Sequence, residues 1–398
     1  MLTLDKIRHA QEVLADAVYR TDIVRAQKLY PECDLRIKTE NLQRTGSFKL
    51  RGAYYKMACL SPEEKEKGVI ACSAGNHAQG VALAATRNGI KSLICLPAGA
   101  PLAKISATKD YGADVCLVQG VYDDAYQHAL KLRDECGYTF IHPFDDEDVI
   151  AGQGTIGLEI LEQWKDVEAI IVPVGGGGLI SGVAFAVKAV NPSVQVYGVQ
   201  AAGAPSMYNS LISGKIETLP SVSTIADGIA VKQPGVHTFE YCKKYVDGIV
   251  TVTDGEIAAA ILALIEKKKI VAEGAGATPV AAMLAGKLPQ LTGKKVCCLV
   301  SGGNVDVTIL SRFIQRGLYM SGRKYNLTLE ISDKSGQLAE ATQVIAGIGA
   351  NILNIDPDQS YVGKSGGGYM LRFELETHGF EHIEEIKDEL TKAGFRIL

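Results

Sequence analysis

No apolar run in this 398-residue chain approaches the length of a membrane span, so a membrane protein is not expected. The N-terminus, Met1-Leu2-Thr3-Leu4-Asp5-Lys6, lacks the basic stretch and apolar run of an export signal, and a cytoplasmic location is expected. Excess charge is absent too. A formal net charge of -4 leaves no electrostatic footprint for nucleic acid. The nine cysteines are odd in number, show no Cys-x-x-Cys spacing and sit mostly in apolar runs such as Val115-Cys116-Leu117-Val118 and Val296-Cys297-Cys298-Leu299. They read as small buried hydrophobes in a reducing compartment, not as a disulfide framework or a zinc site. The acidic run Asp145-Asp146-Glu147-Asp148 reads as a solvated linker, because nothing beside it completes a metal cage.

What is present is a long chain with a 47% hydrophobic fraction, enough for two or three domains. Residues 1–30 read as an amphipathic helix through Ile7, Val13, Leu14 and Val18, closed by Pro31. A short strand at 35–38 leads to Thr45-Gly46-Ser47-Phe48-Lys49, and a helix is predicted from Leu50 to Ala58. From Gly68 strands and helices alternate, as in a parallel sheet. Strands at 69–72, 92–96, 115–118 and 139–141 form a smaller lobe of about 50–145. A second series, with strands at 169–174, 194–199, 249–252 and 296–300, forms a larger one. After Gly322 the order becomes βαββαβ, a ferredoxin-like pattern, so two domains are expected, 1–322 and 323–398.

Four segments carry chemistry. Gly175-Gly176-Gly177-Gly178 joins a buried strand to a helix starting at Leu179, where backbone N–H groups and the helix dipole suit an anion. The wider third gap and distant acid of a dinucleotide fingerprint are missing, and no Gly-Lys-Ser/Thr follows, which favours a small phosphate ester over a nucleotide. A plain flexible loop is the alternative. Ser73-Ala74-Gly75-Asn76-His77 also joins strand to helix and suits a carboxylate, with an ordinary helix cap as the alternative. Ser301-Gly302-Gly303-Asn304 follows a strand at the sheet edge where ligands collect, and its hydroxyl suits a neutral pyridine nitrogen. Lys49, beside Phe48, would by itself be a surface lysine; in this company it reads as a covalent catalyst for a carbonyl, of which pyridoxal phosphate is the commonest cofactor source.

In order and separation, these segments resemble the fold-type-II pyridoxal-phosphate enzymes (tryptophan synthase β-like) and, within them, the threonine dehydratases, or threonine ammonia-lyases. The resemblance runs from about residue 5 to 320 and rests on Thr45-Gly46-Ser47-Phe48-Lys49-Leu50-Arg51-Gly52-Ala53 and Ser73-Ala74-Gly75-Asn76-His77-Ala78-Gln79-Gly80-Val81-Ala82. It implies an α/β fold of two open parallel-sheet lobes. Lys49 is then the Schiff-base lysine, Phe48 flanks the ring, Asn76 bonds the ring hydroxyl, Gly175 to Leu179 hold the phosphate and Ser301 meets the pyridine nitrogen. Ser73 to His77 receive the substrate carboxylate. The implied reaction converts L-threonine to 2-oxobutyrate and ammonia, with L-serine giving pyruvate as a side activity. His77 reads as structural, and Glu273 as either a glutamate near the cofactor or a helix-start carboxylate.

Serine racemases resemble the chain as well, but carry a serine where Ala74 stands, and alanine cannot donate a proton. Their divalent-metal carboxylates correspond to Gln200 and Ser206 here, so no metal site is expected. A serine dehydratase or racemase and a non-catalytic amino-acid sensor are the rival readings. Residues 323–398 resemble an ACT regulatory domain through Asp333-Lys334-Ser335-Gly336-Gln337-Leu338 and Asn351-Ile352. That implies an amino-acid effector site at Asp333, Gly336, Gln337, Leu338, Asn351 and Ile352, a dimerisation module without ligand being the alternative. A homo-oligomer, dimer or tetramer, is expected, and a nucleotide effector occurs in short relatives.

Overall fold

The central strands are the most buried, because a parallel sheet covered by helices on both faces has no solvent side to spare. Ten strands precede residue 306: β1 (Ile23–Arg25), β2 (Asp34–Thr39), β3 (Val69–Cys72), β4 (Ser92–Pro97), β5 (Asp114–Val118), β6 (Thr139–Phe140), β7 (Ala169–Pro173), β8 (Gln195–Ala201), β9 (Gly248–Val252) and β10 (Lys295–Val300). Every residue of β3 and β7 is buried. In this computed structural model, which describes residues 1–332, 334–358 and 368–398, the chain divides into two units, Met1–Asp306 and Val307–Leu398.

The first unit holds two sheets. The smaller has the order β5-β4-β3-β6 and is parallel throughout. The larger runs β1-β2-β10-β7-β8-β9, parallel except where β1 pairs antiparallel with β2. The Ser73, Gly175 and Ser301 segments all follow the carboxyl ends of strands, where open α/β sheets bind ligands.

The N-terminal helix is shorter than the periodicity suggests. It spans Leu4–Leu14, and β1 occupies part of the stretch beyond it. The acidic run is no linker either: it opens a 17-residue helix, Glu147–Gln163, which the sequence pattern had not suggested. Asp146 caps that helix by accepting from the N–H groups of Asp148 and Val149, while Asp148 pairs with Lys6 at 2.6 Å and Lys56 at 3.0 Å. No helix among the described residues is long and apolar enough to cross a membrane.

The second unit starts with the helix Val307–Met320 and continues in the βαββαβ order. Its strands β11 (Lys324–Ser332), β12 (Asn351–Asp358), β13 (Gly368–Glu376) and β14 (Arg396–Ile397) form an antiparallel sheet in the order β12-β13-β11-β14. Helices Gln337–Gly347 and Phe380–Lys392 pack on one face of it, around Leu327, Leu329, Ile345, Leu371, Phe373 and Ile386.

Candidate active site

Lys49 opens the helix Lys49–Ala58, and that helix is wedged by glycines. A β-carbon at Gly80 would lie 3.0 Å from the Lys49 carbonyl carbon, and one at Gly152 would lie 2.6 Å from the Arg51 carbonyl oxygen. At Gly52 it would fall 2.4 Å from Gln153 Nε2. Backbone therefore packs on backbone on two sides of the Lys49 helix. Two residues on, Arg51 joins a buried cluster with Glu40 and Glu159.

Ser301 is brought alongside by main-chain bonds. The Phe48 N–H donates to Ser301 O at 3.0 Å, the Gly303 N–H to Gly46 O at 2.9 Å, and Ser47 and Gly302 pair as a bridge. Ser301 is 2% exposed, and the Ser47 hydroxyl is buried with no hydrogen-bond partner among the described residues.

The Lys49 Nζ donates to Pro143 O at 2.7 Å. Removal from bulk water lowers the amine to about 8, against a smaller upward pull from Glu273. The next residue, Phe144, packs on the glycine loop: β-carbons at Gly176 and Gly178 would come within 2.5 Å and 2.7 Å of its atoms. Asp145 then accepts from the N–H groups of Val236, His237 and Thr238 at 2.9, 3.0 and 3.1 Å, and Thr238 Oγ1 donates to Gly176 O at 2.6 Å. One segment, 143–145, thus links the amine to the glycine loop. Nothing in its composition announces that role.

Gly177 has φ +98°, a conformation only glycine takes without strain, and lets the helix Gly178–Val190 start at once. The first helical closure is the Ser181 N–H on Gly177 O at 2.9 Å, so the N–H groups of Gly178, Leu179 and Ile180 have no intrahelical partner. That end of the helix fits a phosphate. The Leu179 side chain is buried in the core, which leaves only its backbone at the glycine loop.

The Ser73 segment makes a second such helix start. Ser73 Oγ accepts from the Gly75 N–H at 3.2 Å, and the helix Asn76–Arg87 begins without a side-chain cap. Its first N–H groups fit a carboxylate. Ala74 packs on the smaller lobe's core. The His77 ring bonds Ile141 O at 2.8 Å, and burial, with Lys49 nearby, lowers it to about 3. Asn76 Nδ2 donates to Glu273 Oε1 at 2.7 Å. Glu273 both precedes the helix Gly274–Leu284 and reaches the site, and burial, helped by Asp227, raises its carboxyl to about 8.

Gln200 and Ser206 are fully buried; Gln200 Oε1 accepts from the Tyr208 N–H at 2.7 Å, while Gln200 Nε2 and Ser206 Oγ have no partner among the described residues. Of the residues expected at the effector site, Gly336 to Leu338 lie at the start of the helix Gln337–Gly347, Asn351 and Ile352 begin β12, and Asp333 lies outside the described residues.

A phosphate-sized helix start, tied through two consecutive residues to an amine that is partly unprotonated near neutrality, is the arrangement needed to hold a phosphorylated aldehyde. This defines a lysine-dependent aldehyde-cofactor enzyme. The chain belongs to the pyridoxal-phosphate dependent enzyme family, which matches residues 14–302, and pyridoxal phosphate is its cofactor. It is 49% identical to the L-threonine ammonia-lyase of Thermotoga maritima over 100% of this chain and 99% of that one. Its fold is similar to threonine deaminase isoform 2 of Solanum lycopersicum, with TM-score 0.75, 41% identity and coverage of 78% and 88% of the two chains. It is also similar to maize serine racemase, with TM-score 0.75, 37% identity and coverage of 80% and 98%.

Proposed function

We propose that this chain is a cytoplasmic, homo-oligomeric threonine ammonia-lyase that converts L-threonine to 2-oxobutyrate and ammonia and acts more slowly on L-serine. The observation that carries the reading is the Lys49 amine, held on Pro143 O and lowered by burial to about 8, so that part of it is unprotonated at physiological pH. When bound, pyridoxal phosphate supplies an electron sink that makes the substrate α-proton removable. Gly175 to Gly178 and the Leu179 N–H hold its phosphate, Asn76 its ring oxygen and Ser301 its ring nitrogen, with Phe48 beside the ring. The helix start at Ser73 to His77 orients the substrate carboxylate. Lys49 would take the α-proton, the β-hydroxyl would leave the neighbouring carbon with a proton as water, and the enamine released would take up water to give 2-oxobutyrate and ammonia.

Ala74 supports elimination over racemisation, because a methyl group offers no acid on the opposite face of the substrate. Oxo-acid formation by the cofactor-loaded protein tests the assignment. Faster production from L-threonine than from L-serine, with no D-serine, is expected. D-serine would make the protein a racemase, and binding without product a sensor.

The second unit is read as an ACT regulatory domain with its effector site at Asp333, Gly336, Gln337, Leu338, Asn351 and Ile352. The ACT reading covers residues 323–398 of that unit, which itself starts at Val307 with the helix Val307–Met320. A chain ending at Gly322 is expected to keep its turnover and lose any amino-acid effect on rate. If inhibition or activation survives, the effector binds elsewhere.

A further inference from the structure

The orientation of Asn76 is set by a residue 228 positions away. Asn304 Nδ2 lies 2.6 Å from the Thr45 carbonyl oxygen and 2.8 Å from Asn76 Oδ1, with a longer approach of 3.4 Å to Gln79 Oε1. A backbone carbonyl only accepts, so it requires the amide nitrogen of Asn304, not its oxygen, on that side. The second hydrogen of the same nitrogen then falls to Asn76 Oδ1. The Asn76 oxygen is thereby occupied, and its own N–H₂ is turned toward Glu273, 2.7 Å away.

The pocket for Asn304 is built into the chain. Gly46 has φ +69°, and a β-carbon there would lie 2.2 Å from Asn304 Oδ1. The Gly303 N–H on Gly46 O, 2.9 Å, holds the two backbones together beside it. The glycine in Thr45-Gly46-Ser47 is thus required by the side chain that seats against it.

We infer that Asn304, anchored on the Thr45 carbonyl, is a positioning residue that keeps Asn76 a hydrogen-bond donor toward the cofactor's ring oxygen. The inference rests on the reading of Asn76 as the ring-oxygen partner. A donor there favours the ionised oxygen; a flipped Asn76 would present its own carbonyl and favour the protonated one. Asn304 itself touches neither cofactor nor substrate in this role.

The test is the absorption spectrum of the cofactor-loaded resting enzyme, recorded with the cofactor dissociation constant for Asn304→Asp, Asn304→Ala, Asn76→Ala and the double variant Asn76→Ala/Asn304→Ala. Asn304→Asp keeps the volume and removes the donor. Both Asn304 variants are expected to move absorbance from the long-wavelength band of an ionised ring oxygen to the shorter-wavelength band of a protonated one. Cofactor affinity should weaken about tenfold, the scale of one hydrogen bond lost in a partly buried site. In the Asn76→Ala background the Asn304 change should add nothing. An Asn304→Asp spectrum identical to wild type would overturn the inference, as would an Asn304→Ala effect that persists at full size without Asn76. An Asn76→Ala spectrum identical to wild type would instead remove the reading of Asn76 as the ring-oxygen partner beneath it.

Discussion

Lys49→Ala is expected to abolish turnover, a fall of about 10⁴-fold or more, and to remove the visible absorbance of the bound cofactor in the same step, because one amine serves as both anchor and base. Retention of either property would sink the assignment. The geometry makes a separable outcome hard to reach: Lys49 Nζ is held on Pro143 O at 2.7 Å, and the neighbouring histidine is committed to Ile141 O and unprotonated at working pH. The amine itself can be followed in the cofactor-free protein by acylation with acetic anhydride and peptide mass spectrometry. Only the unprotonated amine reacts, so labelling of Lys49 should rise with pH through about 8, where burial places it, and exposed lysines should follow only near the usual value. A Lys49 midpoint as high as that of the surface lysines would mean that the cleft does not desolvate it.

Much of this site was legible because its chemistry sits in short contiguous words at strand ends. A buried strand followed by four glycines, or by Ser73 to His77, announces a helix start, and the structure places both there. The contacts across the chain were not legible. Asn76 meets Glu273 over 197 residues, and Asn304 meets Thr45 over 259, and no local pattern encodes either. The helix Glu147–Gln163 escaped notice for a different reason. Twelve consecutive residues from Val149 to Ile160 are buried, so it has no polar face and no helical period to read. Its Gly152, Gly154 and Gly157 look like breakers, yet each lies against another helix, at Arg51, Gly182 and Val183. The reading of residues 1–30 as one helix failed where apolar spacing continued past Leu14 while the chain turned to form β1, whose three residues pair with Arg36, Ile37 and Lys38. The Thr21 and Tyr19 carbonyls in that turn accept from Lys38 and Arg51, so the stretch is held by buried charge instead of helical bonds.

That buried charge is the second large effect. Arg51 is fully buried and spans two carboxylates: Nε and Nη2 donate to Glu40 at 2.8 Å each, and Nη1 donates to Glu159 at 2.6 Å. Lys38, also fully buried, reaches the other Glu159 oxygen at 2.6 Å. Burial by itself would raise the Glu40 carboxyl; the Arg51 guanidinium, with Lys38 behind it, instead holds it below the usual carboxylate range. Arg51→Ala leaves two buried carboxylates facing one lysine and should destabilise the first unit by about 3–5 kcal/mol, the cost of breaking a buried pair from one side. Trp164, the chain's one tryptophan, lies in that unit's core with Arg36 3.9 Å from its ring centroid, so urea unfolding of the cofactor-free protein can be followed by its fluorescence. The pH dependence carries the sign. In the wild type Glu40 is depressed, so its contribution is present above the unfolded carboxylate value and lost only as pH falls through the still lower folded one. In Arg51→Ala burial prevails, Glu40 takes up a proton at higher pH in the folded state than in the unfolded state, and acidification relieves the strain. The stability gap between the two proteins should therefore narrow from pH 7.5 to 5.5. Arg51→Lys should recover only part of the loss, because a single ammonium cannot reproduce the fork that bridges Glu40 and Glu159. A gap below about 1 kcal/mol, the scale of an exposed ion pair, or one that does not change with pH, would show that the cluster is not what holds the Lys49 helix in place.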